Sequence, residues 1–286
     1  MTKNSLDSTT FILGVGAQKT GTSWLHAHLA KSDQVSVCPI KELHAFDAWY
    51  RPDLCGRFDK YFLNQLSKRI EKRLEIDSFR DDLRLQCLLL RAQLIYDKAA
   101  YIELLKTIKS KSATHVCEIT PSYSLIDGDG FKEIKSLLDG AGLSTKLVFL
   151  MRDPIERYFS ALRMRERDTQ GKFSAIKNFT ALMGKKRDFE RGAYDATIKS
   201  VLSAFDREDV YFGFYERLFR PETINEIEDF LGVAHIEPDF GKVVNASPNE
   251  DKLSDDDIAL GLKAFAPVYD YCREFFGDKI PEEWHQ

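Results

Sequence analysis

The stretch FILGVGAQKTGTS, Phe11 to Ser23, decides how the chain is read. Phe11 to Val15 is almost wholly apolar and predicts a short buried strand. Gly14, Gly16, Lys19 and Gly21 punctuate a turn, and a helix starts near Thr20 to Ser23 and runs on through Trp24, Leu25 and Leu29. A strand that feeds a helix through such a turn aims backbone N–H groups and a helix dipole at one point. That point attracts an anion, typically a phosphate. Lys19 adds a full charge, and Thr20, Thr22 and Ser23 add hydroxyl donors.

Two common phosphate loops do not fit. The triphosphate loop needs lysine directly after its last glycine, whereas Lys19 precedes Gly21 and no Gly-Lys-Ser/Thr occurs in the chain. The dinucleotide pattern G-x-G-x-x-G starting at Gly14 and Gly16 meets Lys19 where its third glycine belongs.

Outward from this stretch, strands alternate with helices. Val35–Cys38, Ala113–Ile119, Lys146–Met151 and Val210–Phe214 read as further strands, and the run KLVFLM is apolar enough for a central parallel strand. Residues from about 49 to 111 carry apolar positions three and four apart and predict a helical insertion. Arg152-Asp153-Pro154 ends the fourth strand, with Pro154 suited to the first turn of the helix that follows. The highly charged segment 163–191 reads as a surface loop with a short helix, or as a lid. The predicted fold is one α/β domain over 1–286, a P-loop-like parallel five-stranded sheet flanked by helices.

The 286 residues are 43% hydrophobic and 30% charged, enough for one sizeable core. A formal net charge of −4 speaks against general nucleic-acid binding. No run of about 18 apolar residues suggests a membrane span. The polar start MTKNSLDSTT lacks the apolar centre of a signal peptide. The five scattered cysteines form neither a metal pattern nor a disulfide framework. A cytoplasmic protein is expected, with a homodimer as one possible assembly; the sequence does not identify the oligomeric state.

With these elements in place, KTGTSWL, Lys19 to Leu25, resembles the phosphosulfate loop of the sulfotransferases that use 3′-phosphoadenosine 5′-phosphosulfate. Four further segments agree in order. LVFLMRDPIERYFSALRM resembles the family's 3′-phosphate motif, an arginine after a strand and a serine eight residues on, here Arg152 and Ser160. KELHAFD, Lys41 to Asp47, EITPSY, Glu118 to Tyr123, and the run Gly192 to Val233 resemble segments of the heparan sulfate and glycan sulfotransferases. Two departures bear on the acceptor. Ile119 stands where that group has a lysine, and VVNASPNEDKL, residues 243–253, lacks the basic residues of its later segments.

The resemblance implies an α/β enzyme that moves a sulfuryl group in line to a hydroxyl of a carbohydrate or small-molecule acceptor, with no metal. Lys19 would contact the bridging oxygen, and Thr20, Gly21, Thr22 and Ser23 would hold the 5′-phosphosulfate. Arg152 and Ser160 would hold the 3′-phosphate. A forked, permanently charged guanidinium suits that task. Glu42 is the candidate general base by resemblance and by its place on a loop after a strand. His44 is the other candidate, because imidazole needs little tuning near neutral pH. Lys41, His44 and Tyr123 would meet the acceptor, Lys41 by helping to bind the sulfuryl group; Glu118 and Tyr123 also read as structural groups, a loop carboxylate and a packed aromatic. His26 and His28, two apart, read as structural or surface groups. The run Arg163, Arg165, Arg167 reads as a solvated face, or as an electropositive rim for an anionic acceptor. Two other readings stay open: a nucleotide kinase or hydrolase on the same loop, and a non-catalytic nucleotide-binding module.

Overall fold

A computed structural model of the chain describes residues 5–55, 58–72, 81–183, 189–241 and 252–285. Five strands form one sheet in the order β2-β3-β1-β4-β5, and every neighbouring pair is parallel. They are β1 (Thr9–Gly16), β2 (Val35–Val37), β3 (His115–Ile119), β4 (Leu143–Met151) and β5 (Val210–Phe214). This is the parallel five-stranded α/β sheet expected from the sequence. β4 begins three residues earlier than the apolar run implies. Leu143 and Thr145 are buried while Ser144 is exposed, so its first turns alternate and only the later part is apolar on both faces.

The helices are α1 (Thr22–Leu29), α2 (Ala45–Tyr50), α3 (Pro52–Cys55), α4 (Phe58–Glu71), α5 (Leu83–Gln93), α6 (Ala100–Ile108) and α7 (Gly128–Gly140). After β4 come α8 (Pro154–Asp168), α9 (Ala175–Leu182) and α10 (Tyr194–Leu202). After β5 come α11 (Tyr215–Leu218), α12 (Pro221–Leu231) and α13 (Asp255–Phe276). The helical insertion is thus α2 to α6, with residues 73–80 outside the described part. Of the charged segment 163–191, α8 continues to Asp168 and α9 follows, with Phe179 fully buried; residues 184–188 lie outside the described part. Most of 243–253 does too.

β1 shows why both faces of the sheet are covered. Phe11, Leu13 and Val15 point into the larger core, where α6, α7, α8, α10 and α13 pack. Ile12 points the other way, into a smaller core with Trp24, Leu25 and Leu29 of α1 and Ile224, Ile227 and Leu231 of α12. Fully burying each such side chain contributes roughly 1.5–3 kcal/mol before entropy is counted. Gly14 is required by packing, because a Cβ there would lie 2.7 Å from Ile119 Cγ1 on the neighbouring strand.

This order creates the site. From β1 the chain passes to β2 and β3 on one side, then crosses to β4 and β5 on the other. The loops after β1 and β4 therefore diverge at the carboxyl ends of adjacent strands, where open α/β sheets leave a crevice. Among the described residues, no helix is long and apolar enough to cross a membrane.

Candidate active site

A cavity of about 480 Å³ lies in that crevice. The β1–α1 loop forms its floor through Gln18, Lys19, Gly21, Thr22 and Ser23. Lys41 and Glu42 close one side, Arg152 and Ser160 another, and Pro121 follows β3. The two anion sites read from the sequence thus face a single space.

Lys19 sits at φ 72 and Gly21 at φ 84. The left-handed turn at Gly21 is open only to glycine here, since a Cβ would meet Leu218 Cδ2 at 2.3 Å. Gly21 is also the N-cap of α1 and no side chain caps that end, which leaves the first backbone N–H groups directed at the cavity. Burial lowers the pKa of Lys19 below its ordinary value, and the nearby charges of Arg167 and Arg152 add to this. The ammonium is thus crowded by like charge, an arrangement relieved by an anion.

Arg152 follows β4 directly. Its guanidinium lies over the Tyr215 ring, 4.6 Å from the centroid, and Nη2 donates to Glu156 Oε2 at 3.1 Å. Its carbonyl accepts from the Tyr194 hydroxyl at 2.8 Å. The next residue, Asp153, caps α8 by accepting from the N–H groups of Ile155 and Glu156, both at 2.9 Å, and Tyr269 of α13 donates to it at 2.6 Å. Ser160 lies two turns into α8 and faces the cavity.

On the opposite side, Lys41 Nζ donates to Ser23 Oγ and, at 3.1 Å, to Glu42 Oε1. His44 Nε2 lies 3.6 Å from Glu42 Oε2, and its Nδ1 donates to Asp47 Oδ2 at 2.8 Å. Ser122 donates to the same Asp47 oxygen. With a carboxylate at each nitrogen, the ring is an imidazolium. Burial opposes that charge, but the hydrogen bonds to Asp47 and Glu42 outweigh it and raise the His44 pKa to about 9. Burial likewise opposes ionisation of Glu42, yet His44 and Lys41 prevail and hold it at about 2. Glu42 and His44 both have positive φ, 60 and 56. Of the five non-glycine residues with positive φ among the described residues, Lys19, Glu42 and His44 are three. Strain of this kind, worth about 1–3 kcal/mol per residue, persists where the surroundings over-determine the backbone.

This pairing has a stability signature. His44 is raised above its ordinary 6.5, so its contribution is complete below that value and is lost as pH rises through about 9. Glu42 is depressed from 4.5, so its contribution is complete above 4.5 and is lost as pH falls through about 2. The excess stability of the wild type over His44→Ala should therefore be greatest between 4.5 and 6.5 and should shrink above that. Urea midpoints of the two proteins across pH measure it; an excess that grows above neutrality would contradict the imidazolium.

Three residues expected at the site do not line the cavity. Thr20 is fully buried and its hydroxyl donates to the Ala17 carbonyl at 2.6 Å, so its side chain shapes the loop. His44 stands behind Glu42, stacked on Phe58 with centroids 4.8 Å apart. Tyr123, expected to meet the acceptor, is fully buried; its hydroxyl accepts from the Ala45 N–H at 3.1 Å and so braces the loop that carries Glu42 and His44. Glu118 lies equally deep, with burial raising its pKa to about 7 and Thr120 and Tyr101 donating to it.

Sequence reasoning missed one end of the cavity. Trp24, Phe219 and Phe240 form an aromatic cluster there, with Trp24 stacked on Phe240 at 5.5 Å and edge-on to Phe219 at 5.5 Å. Trp24 is fixed from behind by His28, parallel at 5.0 Å, whose Nε2 lies 2.8 Å from the buried carboxylate of Glu228. His28 is thus structural, as expected. No local signal links Trp24 to Phe240, because the two are 216 positions apart in the sequence. Met164 and Arg167 also line the cavity. They lie four and seven residues beyond Ser160, on one helical face, a spacing that was available in the sequence.

A family model described as a sulfotransferase domain matches residues 9–249. The crystal structure of a sulfotransferase from Alicyclobacillus acidocaldarius is similar over 96% of this chain and 98% of that one, at 20% identity and a TM-score of 0.67, and it shares the fold. The sulfotransferase STF9 from Mycobacterium avium is 13% identical, with 93% of this chain and 77% of that one aligned and a TM-score of 0.43. The chain matches no curated protein sequence.

Proposed function

The chain belongs to the sulfotransferase domain family, whose chemistry is sulfuryl transfer, and we propose that its donor is 3′-phosphoadenosine 5′-phosphosulfate and its acceptor a hydroxyl of a carbohydrate or small molecule. The observation that carries this reading is the pair of separated anion sites in one cavity: Lys19 with the α1 N-terminus, and Arg152 with Ser160. A donor with phosphate groups at two places matches such a pair. The aromatic end of the cavity supports it, since the exposed ring of Phe219 there offers surface for a purine base.

In this reading the loop N–H groups, Ser23 and Lys41 hold the phosphosulfate. Lys19 meets the charge that grows on the leaving phosphate. Glu42 takes the acceptor proton. His44 has both nitrogens committed to carboxylates and offers no lone pair at neutral pH, which favours Glu42 over His44 as the base. The side chain of Glu42 is 36% exposed and borders the same space as Lys19, which speaks against a module that only binds nucleotide. A triphosphate kinase or hydrolase remains disfavoured by the absence of Gly-Lys-Ser/Thr from the sequence.

The test is calorimetric binding of adenosine 3′,5′-bisphosphate against ATP, followed by transfer of radiolabelled sulfate to an acceptor panel. The bisphosphate should bind at least tenfold more tightly than ATP. Arg152→Ala should remove most of that preference, by roughly 1.5–3 kcal/mol for a lost charged hydrogen-bonding partner. Equal affinity for ATP, or a preference indifferent to Arg152, would count against the assigned donor.

A further inference from the structure

One cavity-lining cation is left over once the donor's needs are met. Arg167 lies on the face of α8 that carries Ser160 and Met164. Seven residues of helix place it about 10 Å along the axis from Ser160, away from the anion site that Ser160 and Arg152 form. Its neighbour across the cavity is Lys19, whose ammonium feels Arg167 more strongly than Arg152 or Lys41. Lys41 is engaged by Ser23 and Glu42, and Arg152 by Glu156 and the Tyr215 ring. Among the described residues, the ion-pair partner of Arg167 is its chain neighbour Asp168, at 3.5 Å, and the Arg167 side chain is 38% exposed. A guanidinium that borders a cavity with so weak a partner has its forked donors available.

Resting on the donor reading above, we propose that Arg167 binds an anionic group of the acceptor, a carboxylate, sulfate or phosphate beside the hydroxyl that receives the sulfuryl group. The enzyme then selects small acidic acceptors. With Lys19, Lys41 and Arg152 assigned to the donor, Arg167, in a chain of net charge −4, suits a single acidic substituent better than a polyanionic chain. Met164, beside it on α8, supplies an apolar surface for the acceptor's carbon skeleton.

The probe for the anion site is inorganic sulfate, titrated into protein saturated with adenosine 3′,5′-bisphosphate. Sulfate should bind the wild type, at least tenfold more weakly to Arg167→Ala, and with part of the loss restored in Arg167→Lys. Absent binding, or binding indifferent to Arg167→Ala, overturns the proposal. A second arm separates the acceptor from the donor as the source of the anion. If Arg167→Ala weakens 3′-phosphoadenosine 5′-phosphosulfate tenfold more than adenosine 3′,5′-bisphosphate, Arg167 serves the donor's sulfuryl group and the proposal falls. A third arm compares kcat/KM for matched acceptors, 4-hydroxybenzoate against 4-hydroxybenzyl alcohol and glucuronate against methyl glucoside. The acid of a pair should be favoured at least tenfold by the wild type, with the ratio moving towards one in Arg167→Ala. A preference for the neutral member, or a ratio that does not move, overturns the proposal. If the wild type does not bind adenosine 3′,5′-bisphosphate, the donor reading fails instead, and sulfate titration of the unloaded protein still decides the role of Arg167.

Discussion

Lys19→Ala is expected to lower kcat by about a hundred- to a thousandfold, with adenosine 3′,5′-bisphosphate binding changed only a few fold. The difference follows from where charge appears. With the donor proposed above bound, the phosphosulfate charge would already be shared among the loop N–H groups, Ser23 and Lys41. When the bond to sulfur breaks, new charge collects on the bridging oxygen, and only a cation fixed at that atom stabilises it. The backbone that carries Lys19 is fixed: the residue occupies a left-handed position, and the Gly21 turn behind it has no room for a side chain. Its ammonium is also poorly satisfied without an anion, being half-buried among Arg167, Arg152 and Lys41. Interaction energy that appears only in the transition state is lost from kcat, whereas energy shared with the ground state is lost from KM. Single-turnover rates and calorimetric affinities for Lys19→Ala separate the two. A variant that binds the bisphosphate a hundredfold more weakly yet turns over normally would make Lys19 a ground-state phosphate ligand.

Whether such features could be read from the sequence depended on how local they are. The strand–turn–helix around Lys19 was legible because a short apolar run, a glycine turn and a helix start lie within 13 residues, Phe11 to Ser23. The sheet was legible for the same reason, except for the start of β4, where alternation at Leu143 to Lys146 hides a strand that later becomes fully apolar. Ser160 was found through a fixed offset from Arg152, and the same helical arithmetic reaches Met164 and Arg167 on that face. What escaped was contact between distant segments. Trp24 meets Phe240, 216 positions away, only because α1 and the chain after α12 cover the same sheet face. Tyr123 illustrates the converse. Its place in a motif suggested the acceptor, but three-dimensional packing turns its hydroxyl to the Ala45 amide.

Glu42→Gln should reduce kcat by about two to four orders of magnitude while sparing donor binding. Glutamine keeps the size of the side chain and an oxygen for Lys41, but it cannot take the acceptor proton. The pH dependence tests the same assignment from another side. Held at about 2 by His44 and Lys41, Glu42 is a carboxylate throughout any practical assay range, so a Glu42 base gives a wild-type rate free of an acid limb above about pH 5. The partner limb comes from His44. As pH passes about 9 the imidazolium is lost, and with it the ion pair that orients the carboxylate, so the rate should fall there. If His44 were the base, the order would invert. Its neutral form would be required, activity would climb towards pH 9, and Glu42→Gln would retain substantial turnover. His44→Ala also separates the readings: as the residue that orients Glu42 it costs about tenfold, but as the base it costs as much as Glu42→Gln is expected to. The Asp47 carboxylate on the far side of the ring makes the first outcome the expected one, because it holds the proton on Nδ1 while Nε2 faces Glu42.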